Sequence, residues 1–316
     1  MAINRLNKKG YFFSLMVIMA LLIVSVYFAA FTNPGQSRDA SVSSLRINEI
    51  NRFLTALEED AKTGISVASL RTLLAFEERV QSSSSFISPD EYGASTLNEL
   101  AMELMINGTL GGVDHPLVED SNMGIWAKNM EEFGYLDVDL DFTNLRAGLY
   151  QDDPWHVKAF FEFNIFARDN FTDSTWNKPV RVEAVHNITK FEDPVYTVGT
   201  LGSYRQSFKM PIPNVNFPDD LAAHVSGKNY INSMDAPSFL NRIVGDMSAS
   251  EFGVESLVYV PDLPAAYQRE KSMVDRIYFS TNNPQWCNAN QQQDVTAPEW
   301  VIIDADNAPT YGFGCP

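Results

Sequence analysis

YFFSLMVIMALLIVSVYFAAF, residues 11–31, decides how the rest of the chain is interpreted, because its 21 residues include no charged side chain. A helix rises about 1.5 Å per residue, so a helix of this length spans the roughly 30 Å hydrocarbon core of a bilayer. The apolar core of a secretory leader is usually shorter, about 7–15 residues, and ends at small residues. Here the bulky Tyr27 and Phe28 stand two places before Ala29 and Ala30. The sequence therefore predicts a transmembrane helix that stays attached.

The charges beside this stretch predict its orientation. Residues 1–10 contain three basic side chains and no acidic one. Basic residues next to a spanning helix favour the cytoplasmic side. We therefore expect a cytoplasmic leader at 1–10, membrane contact through 11–31 and an extracellular domain at 32–316. This describes a single-pass protein of the cell membrane.

The charge balance restricts the possible partners. The chain has 23 basic and 40 acidic residues and a formal net charge of −17. Because nucleic-acid phosphates need Lys and Arg, nucleic acid is excluded as an expected partner. A large acidic surplus instead fits solubility, cation binding or a saline habitat.

The two cysteines, Cys287 and Cys315, lie close to the C-terminus. On the predicted extracellular side, an oxidising environment favours a disulfide between them. Such a bond would close a loop and add about 3–4 kcal/mol of stability in the chain-entropy model. The alternative, a cysteine nucleophile, needs an activating base, and no histidine follows His224.

Asn-X-Thr sequences offer possible N-glycosylation sites on the predicted extracellular side. They begin at Asn107, Asn170 and Asn187. For Asn187, an ordinary position in a strand is the alternative.

The first part of the extracellular region has the pattern of helices. Residues 32–41 contain Asn, Pro and Gly together and are predicted as a linker. In residues 42–135, apolar residues recur at steps of three and four, which is typical of amphipathic helices. Gly64 is expected to divide the first of these into two. Further helices are predicted at 96–106 and 122–133.

After residue 136 the period changes to two. Apolar and polar residues alternate over 136–142 and 156–168, which predicts half-buried strands. Other segments are predicted as strands at 178–189, 194–201, 254–260, 273–280 and 300–304, with a helix at 237–244. The expected fold class is therefore α+β: a transmembrane helix, a helical layer, and a mostly antiparallel β-rich part at 136–316.

Catalytic and metal-binding patterns are scarce. The four histidines have no close spacing of the kind that zinc sites use, and the sequence has no nucleophile elbow and no phosphate-binding loop. Asp304, Asp306 and Asn307 place three oxygen donors in a short segment, which makes calcium a possible ligand. An Asx turn after a strand is the alternative. No other cofactor is expected.

The leader resembles that of archaeal type IV pilin-like proteins, which carry class III signal peptides. The resemblance rests on Lys8, Lys9 and Gly10, followed by the apolar stretch that begins at Tyr11. It implies that a dedicated peptidase cuts between Gly10 and Tyr11. It also implies that the exposed helix packs with copies of itself or with other pilins. Many members carry an acidic residue at the fifth position after the cut, where this chain has Leu15.

The rest of the chain resembles archaeal surface proteins that share this leader and have no assigned activity. The resemblance lies in short segments: DDPW at 152–155, FEDPVY at 191–196, FGVESLV at 252–258, MVDRIYF at 273–279 and WVIID at 300–304. It implies a surface location and a pilus or adhesive role, and it implies no catalytic residue.

Three functions remain open from the sequence. The first is a non-enzymatic, pilin-like surface protein with a structural or adhesive role. The second is a membrane-tethered binding module for cations or glycans that does not polymerise. The third, a tethered hydrolase, is the least favoured, because the sequence gives it no assembled site.

Overall fold

A computed structural model describes residues 34–132, 137–281, 284, 286–288 and 300–314, with the backbone alone for 34–43 and 286–288. The chain divides into two compact units, Met1–Leu57 and Glu58–Pro316. The helices are α1 (Pro34–Ser83), α2 (Leu97–Asn107), α3 (Met123–Glu132), α4 (Pro194–Gly199), α5 (Leu221–Gly227), α6 (Phe239–Val244) and α7 (Asp275–Tyr278). The strands are β1 (Thr109–Leu110), β2 (Val113–Asp114), β3 (Val138–Asp153), β4 (His156–Asp169), β5 (Thr175–Asn187), β6 (Tyr230–Asn232), β7 (Val254–Ser256), β8 (Trp286–Asn288) and β9 (Ile302–Asp304).

The structure corrects the expectation of a transmembrane helix and of a single-pass location in a cell membrane. Among the residues that it describes, no helix is both long enough and apolar enough to cross a bilayer. The longest, α1, has 50 residues but carries charged side chains such as Arg52, Asp60 and Arg71 along its length. The stretch 11–31 and the leader 1–10 lie outside the described residues.

Helix α1 is continuous where the sequence predicted a linker and a break. The helix begins at Pro34. Proline has no backbone N–H, but the N–H groups of the first turn make no hydrogen bond within a helix, so proline is tolerated there. Gly64 lies inside the helix, and a Cβ atom there would come within 3.2 Å of the Met123 side chain of α3. The glycine therefore allows two helices to approach closely and does not end one.

The main sheet is an antiparallel meander in the order β3-β4-β5. Alternating burial along β4 gives the sheet an inner, apolar face and an outer, polar face. The part of α1 that belongs to the second unit lies along β5 and contacts it. Glu58 pairs with Lys178, Ser69 Oγ lies 2.7 Å from His186 Nε2, and Glu77 accepts a hydrogen bond from the Glu192 backbone. The contacting residues occur in the same order along α1 and along the chain from β5 to Glu192, so the helix runs parallel to β5.

An aromatic cluster joins α3 to the inner face of the meander. The Trp126 ring meets Phe142, Phe161 and Phe163 edge-on, with centroids 5.3, 6.1 and 5.6 Å away. Its indole N–H donates to Asp60 of α1 at 2.7 Å. Since aromatic pairs of this geometry add to the free energy of burial, the cluster fixes α3 between helix and sheet.

The chain after β5 contains less strand than the sequence predicted. The predicted strand 194–201 is the helix α4, because the Asp193 carboxylate accepts from the Val195 N–H and caps it. The predicted strand 273–280 contains the short helix α7 instead, with one bridge between Val274 and Leu257. The described strands here form two short antiparallel pairs, β6 with β7 and β8 with β9.

Candidate functional site

A cleft of about 470 Å³ opens on the outer face of the meander, where β3 bulges. The register of β3 against β4 shifts between Thr143 and Arg146, and Asn144 adopts a left-handed backbone conformation with φ of 57°. Bulges of this kind redirect side chains. The polar or exposed residues that line the cleft are Asn144, Arg146, Glu162, Asn164, Pro179 and Arg181.

A row of three charged side chains crosses the cleft from strand to strand. Arg146 of β3 is directly opposite Glu162 of β4, which is directly opposite Arg181 of β5. Arg181 donates to Glu162 at 2.5 Å and to Glu183 at 2.9 Å. The hydrogen bond from Arg181 lowers the pKa of Glu183. Both acidic groups are therefore oriented toward Arg181.

Arg146 is different from Arg181. It is exposed and makes no hydrogen bond or ion pair with the residues that the structure describes. Its guanidinium thus keeps its planar set of five N–H donors, which match carboxylate and phosphate oxygens in pairs.

Phe160 fixes the position of Arg181. The guanidinium carbon of Arg181 lies 4.7 Å from the centroid of the Phe160 ring, which is within the range of a cation–π contact. Gly148 of β3 makes room for this ring, because a Cβ atom there would lie 2.7 Å from it. Contacts within the protein therefore hold the Arg181 side of the row in place without a ligand.

A second cluster of charges lies in the interior. Arg242 of α6 is fully buried and contacts Asp193 at 2.7 Å and Asp275 at 3.0 Å. It also donates to the carbonyl of Val254. Asp193 accepts a further hydrogen bond from the Tyr230 hydroxyl at 2.9 Å. Burial raises the pKa of Asp193 to about 6, although Arg242 opposes the shift.

Glu255 extends this cluster toward the C-terminus. Its carboxylate accepts a hydrogen bond from the Tyr311 hydroxyl at 2.7 Å and faces Arg276 at 3.5 Å. Burial raises the pKa of Glu255 to about 7. Since Asp193, Arg242, Glu255 and Asp275 are fully buried and only Arg276 is partly exposed, the cluster connects α4, α6, α7 and β7 in the interior.

The sequence patterns predict neither the cleft nor the buried cluster. For the buried cluster a partial signal existed: Asp193 before Pro194 is typical of a helix start. The single charged residue Arg242 within FLNRIV was a second signal, because a charge on a short apolar helix needs a partner. Nothing in the sequence indicated the register that forms the cleft.

The residues proposed for calcium are engaged by protein groups. Asp304 is buried, and its oxygens accept from the Asn307 amide at 2.7 Å and the Ser272 hydroxyl at 2.7 Å. The Asn307 side-chain oxygen accepts from Arg276 at 3.1 Å, while Asp306 is exposed. Among the described residues, no group of three His, Cys, Asp or Glu side chains could hold a metal ion. The arrangement is that of the Asx turn.

The three glycosylation candidates differ in access. Asn107 is exposed at the end of α2, and Asn170 is exposed in the turn between β4 and β5. Asn187 is half-buried, and its side-chain oxygen accepts from the Thr189 N–H at 2.8 Å. Asn187 therefore has a structural role that the other two lack.

The remaining candidates fall largely outside the described residues. Cys315 lies outside them, as do Lys8, Lys9, Gly10 and Tyr11, and Cys287 is described by its backbone alone. The described part of the chain accordingly shows no disulfide.

Comparison with protein families, with characterised proteins and with solved structures finds no significant match to this chain. The fold and the cleft are therefore the observations on which a function can be proposed.

Proposed function

We propose that the chain is a non-enzymatic, pilin-like subunit with a structural or adhesive role, which assembles through its N-terminal helix with copies of itself or with other pilins. The observation that carries the proposal is α1, which runs without interruption from Pro34 to Ser83. Its N-terminal part, in the first unit, offers a helical surface for assembly, and its C-terminal part belongs to the second unit.

Contacts within the second unit hold its part of α1 firmly. Ala61, Ile65 and Phe76 are fully buried, and polar contacts to β5 and to Glu192 accompany them. Within the first unit, Leu45 and Ile47 of the same helix are 65% and 38% exposed. Exposed apolar side chains on a helix are suited to contacts with a neighbouring subunit.

The test is whether the full chain occurs in filaments. We expect antibodies to label filaments prepared from cells that produce the chain. N-terminal sequencing of the labelled protein should begin at Tyr11. A chain that begins at Met1 or Ala2, or that is absent from every filament, would refute the pilin-like assignment.

A pair of variants tests the role of the helix. Leu45→Asp with Ile47→Asp should reduce the amount of protein in filaments, because charges would be buried at the subunit contact. Asn48→Asp with Asn51→Asp adds the same charge at exposed polar positions of α1 and should leave assembly nearly unchanged. Equal effects of the two pairs would remove the support for a specific apolar contact.

A glycan-binding module is the second candidate function, and the cleft at the β3 bulge favours it. Sugar hydroxyls need closely spaced donors and acceptors, and Asn144, Asn164 and Glu162 supply them. Binding of a glycan by chains that remain monomeric would favour this candidate over the assembling subunit.

A further inference from the structure

We propose that the cleft at the β3 bulge binds an acidic sugar, with the carboxylate of the sugar on Arg146 and its hydroxyls on Asn144, Asn164 and Glu162. This inference rests on the second candidate function, a glycan-binding module, and names the chemical class of its ligand.

The two arginines of the row differ in their partners. Arg181 is held by Glu162, Glu183 and the Phe160 ring, so its charge is largely compensated. Arg146 lies across Glu162 in the same row and has no partner among the described residues. A guanidinium with free paired donors prefers a carboxylate or a phosphate oxygen pair.

The charges of the row limit the charge of a ligand in the cleft. Counted with Glu183, which also pairs with Arg181, the row has two positive and two negative side chains, and Arg146 supplies the one positive charge that has no partner among the described residues. Glu162 lies in the middle and repels a second anionic group. The whole chain has a net charge of −17 and also repels polyanions. The ligand should therefore carry a single negative charge.

Neutral polar side chains lie beside the row. Asn144 and Asn164 place one carboxamide on each of two neighbouring strands, and a carboxamide both donates and accepts hydrogen bonds. Glu162 can accept from a hydroxyl with the oxygen that Arg181 does not use. Such a set matches adjacent hydroxyl groups. The cleft volume of about 470 Å³ is within the range of small-molecule sites, about 300–1,000 Å³.

The direct experiment is a titration of the full chain with three probes: glucuronate, glucose and inorganic phosphate. Saturation-transfer NMR or calorimetry at low salt measures the binding. We expect glucuronate to bind at least about tenfold more tightly than either other probe, since it alone offers both a carboxylate and adjacent hydroxyls.

Variants assign the binding to the cleft. Arg146→Gln should weaken glucuronate binding by about tenfold or more, because it removes a charge-assisted pair of hydrogen bonds. Arg146→Lys keeps the positive charge, and its affinity for glucuronate should lie between the affinities of Arg146→Gln and of the unmodified chain. Arg168→Gln is the matched control, since Arg168 is an exposed arginine of β4 paired with Asp173 outside the cleft; it should change binding by less than about twofold.

Each other outcome decides against part of the proposal. Equal binding of glucose and glucuronate would leave a glycan module but overturn the acidic ligand. Phosphate that binds as tightly as glucuronate would show a general anion site. Equal losses of glucuronate affinity in Arg146→Gln and Arg168→Gln would show that glucuronate is attracted non-specifically to positive charge. Failure of both sugars to bind would overturn the inference and the glycan module together, while the assembly proposal is tested separately by the filaments.

Discussion

Among single residues, His224 of α5 is unusual because it is fully buried and neither ring nitrogen has a hydrogen-bond partner among the described residues. The Phe217 ring meets it edge-on at 5.2 Å, and the apolar cluster of Leu221, Val225 and Tyr311 surrounds this part of the chain. Burial lowers the pKa of His224 to about 4. A proton on this ring therefore has nothing to stabilise it in the folded state.

His224 should make the fold sensitive to acid. Its pKa falls from 6.5 in the unfolded chain to about 4 in the folded one, so the unfolded chain binds more protons between these values. The stabilising effect of keeping it neutral is complete above pH 6.5 and is lost as the pH falls toward 4, by up to about 3 kcal/mol. Urea unfolding of His224→Leu should lose this part of the pH dependence. The same substitution at the half-buried His115 should retain it, and parallel pH curves for His224→Leu and the original chain would contradict the argument.

Glu255 should act in the opposite direction. Burial raises its pKa from 4.5 to about 7, so the folded state binds more protons than the unfolded state between these values. Its contribution is most favourable below pH 4.5 and falls as the pH rises to 7, by up to about 3 kcal/mol.

Glu255→Gln removes this titration while keeping an acceptor for Tyr311. The stability difference between Glu255→Gln and the original chain should become more favourable to the variant from pH 5 to pH 8. Chemical denaturation at the two pH values measures it, and a constant difference would show that Glu255 stays ionised throughout.

At the scale of elements, Gly64 fixes the distance between α1 and α3. Alanine there would gain helix propensity of about 1 kcal/mol and would need the flexible Met123 side chain, 3.2 Å from the new Cβ, to move slightly. Gly64→Ala should therefore be neutral or slightly stabilising. Gly64→Leu should cost about 1–3 kcal/mol by overpacking against Met123 and Trp126. Thermal unfolding of both variants is the measurement, and a stabilising Leu would mean that α3 is not held closely.

Individual strands and helices show which parts of the fold can be predicted from the sequence. Strand β4 was predicted because it buries one face, so its apolar residues alternate. Helix α4 was missed because its two turns are too short for a period to appear, and the Asp193 cap decides its conformation. The cleft could not be predicted from the sequence, because the bulge at Asn144 determines which residue lies opposite Glu162. A shift of the register by one residue changes every such pair.

At the scale of the whole molecule, the net charge of −17 should make stability depend on salt. Like charges repel one another more in the folded chain than in the expanded one. Salt screens this repulsion over about 10 Å at 0.1 M. The melting temperature of the full chain should therefore rise as NaCl is added from low concentration, and KCl should have the same effect at equal ionic strength. A flat or falling melting temperature would show that favourable ion pairs, such as Arg168 with Asp173, outweigh the repulsion.

Pro179 has a consequence for how concentrated solutions of the protein behave. It lies within β5, an edge strand of the described meander, and the pairing with β4 continues past it without a break. An edge strand leaves every second N–H unpaired, and proline removes such a group from the open side. A strand from another molecule that paired with β5 there would lack one hydrogen bond, opposite Pro179. The proline therefore protects the three-stranded meander from edge-to-edge aggregation.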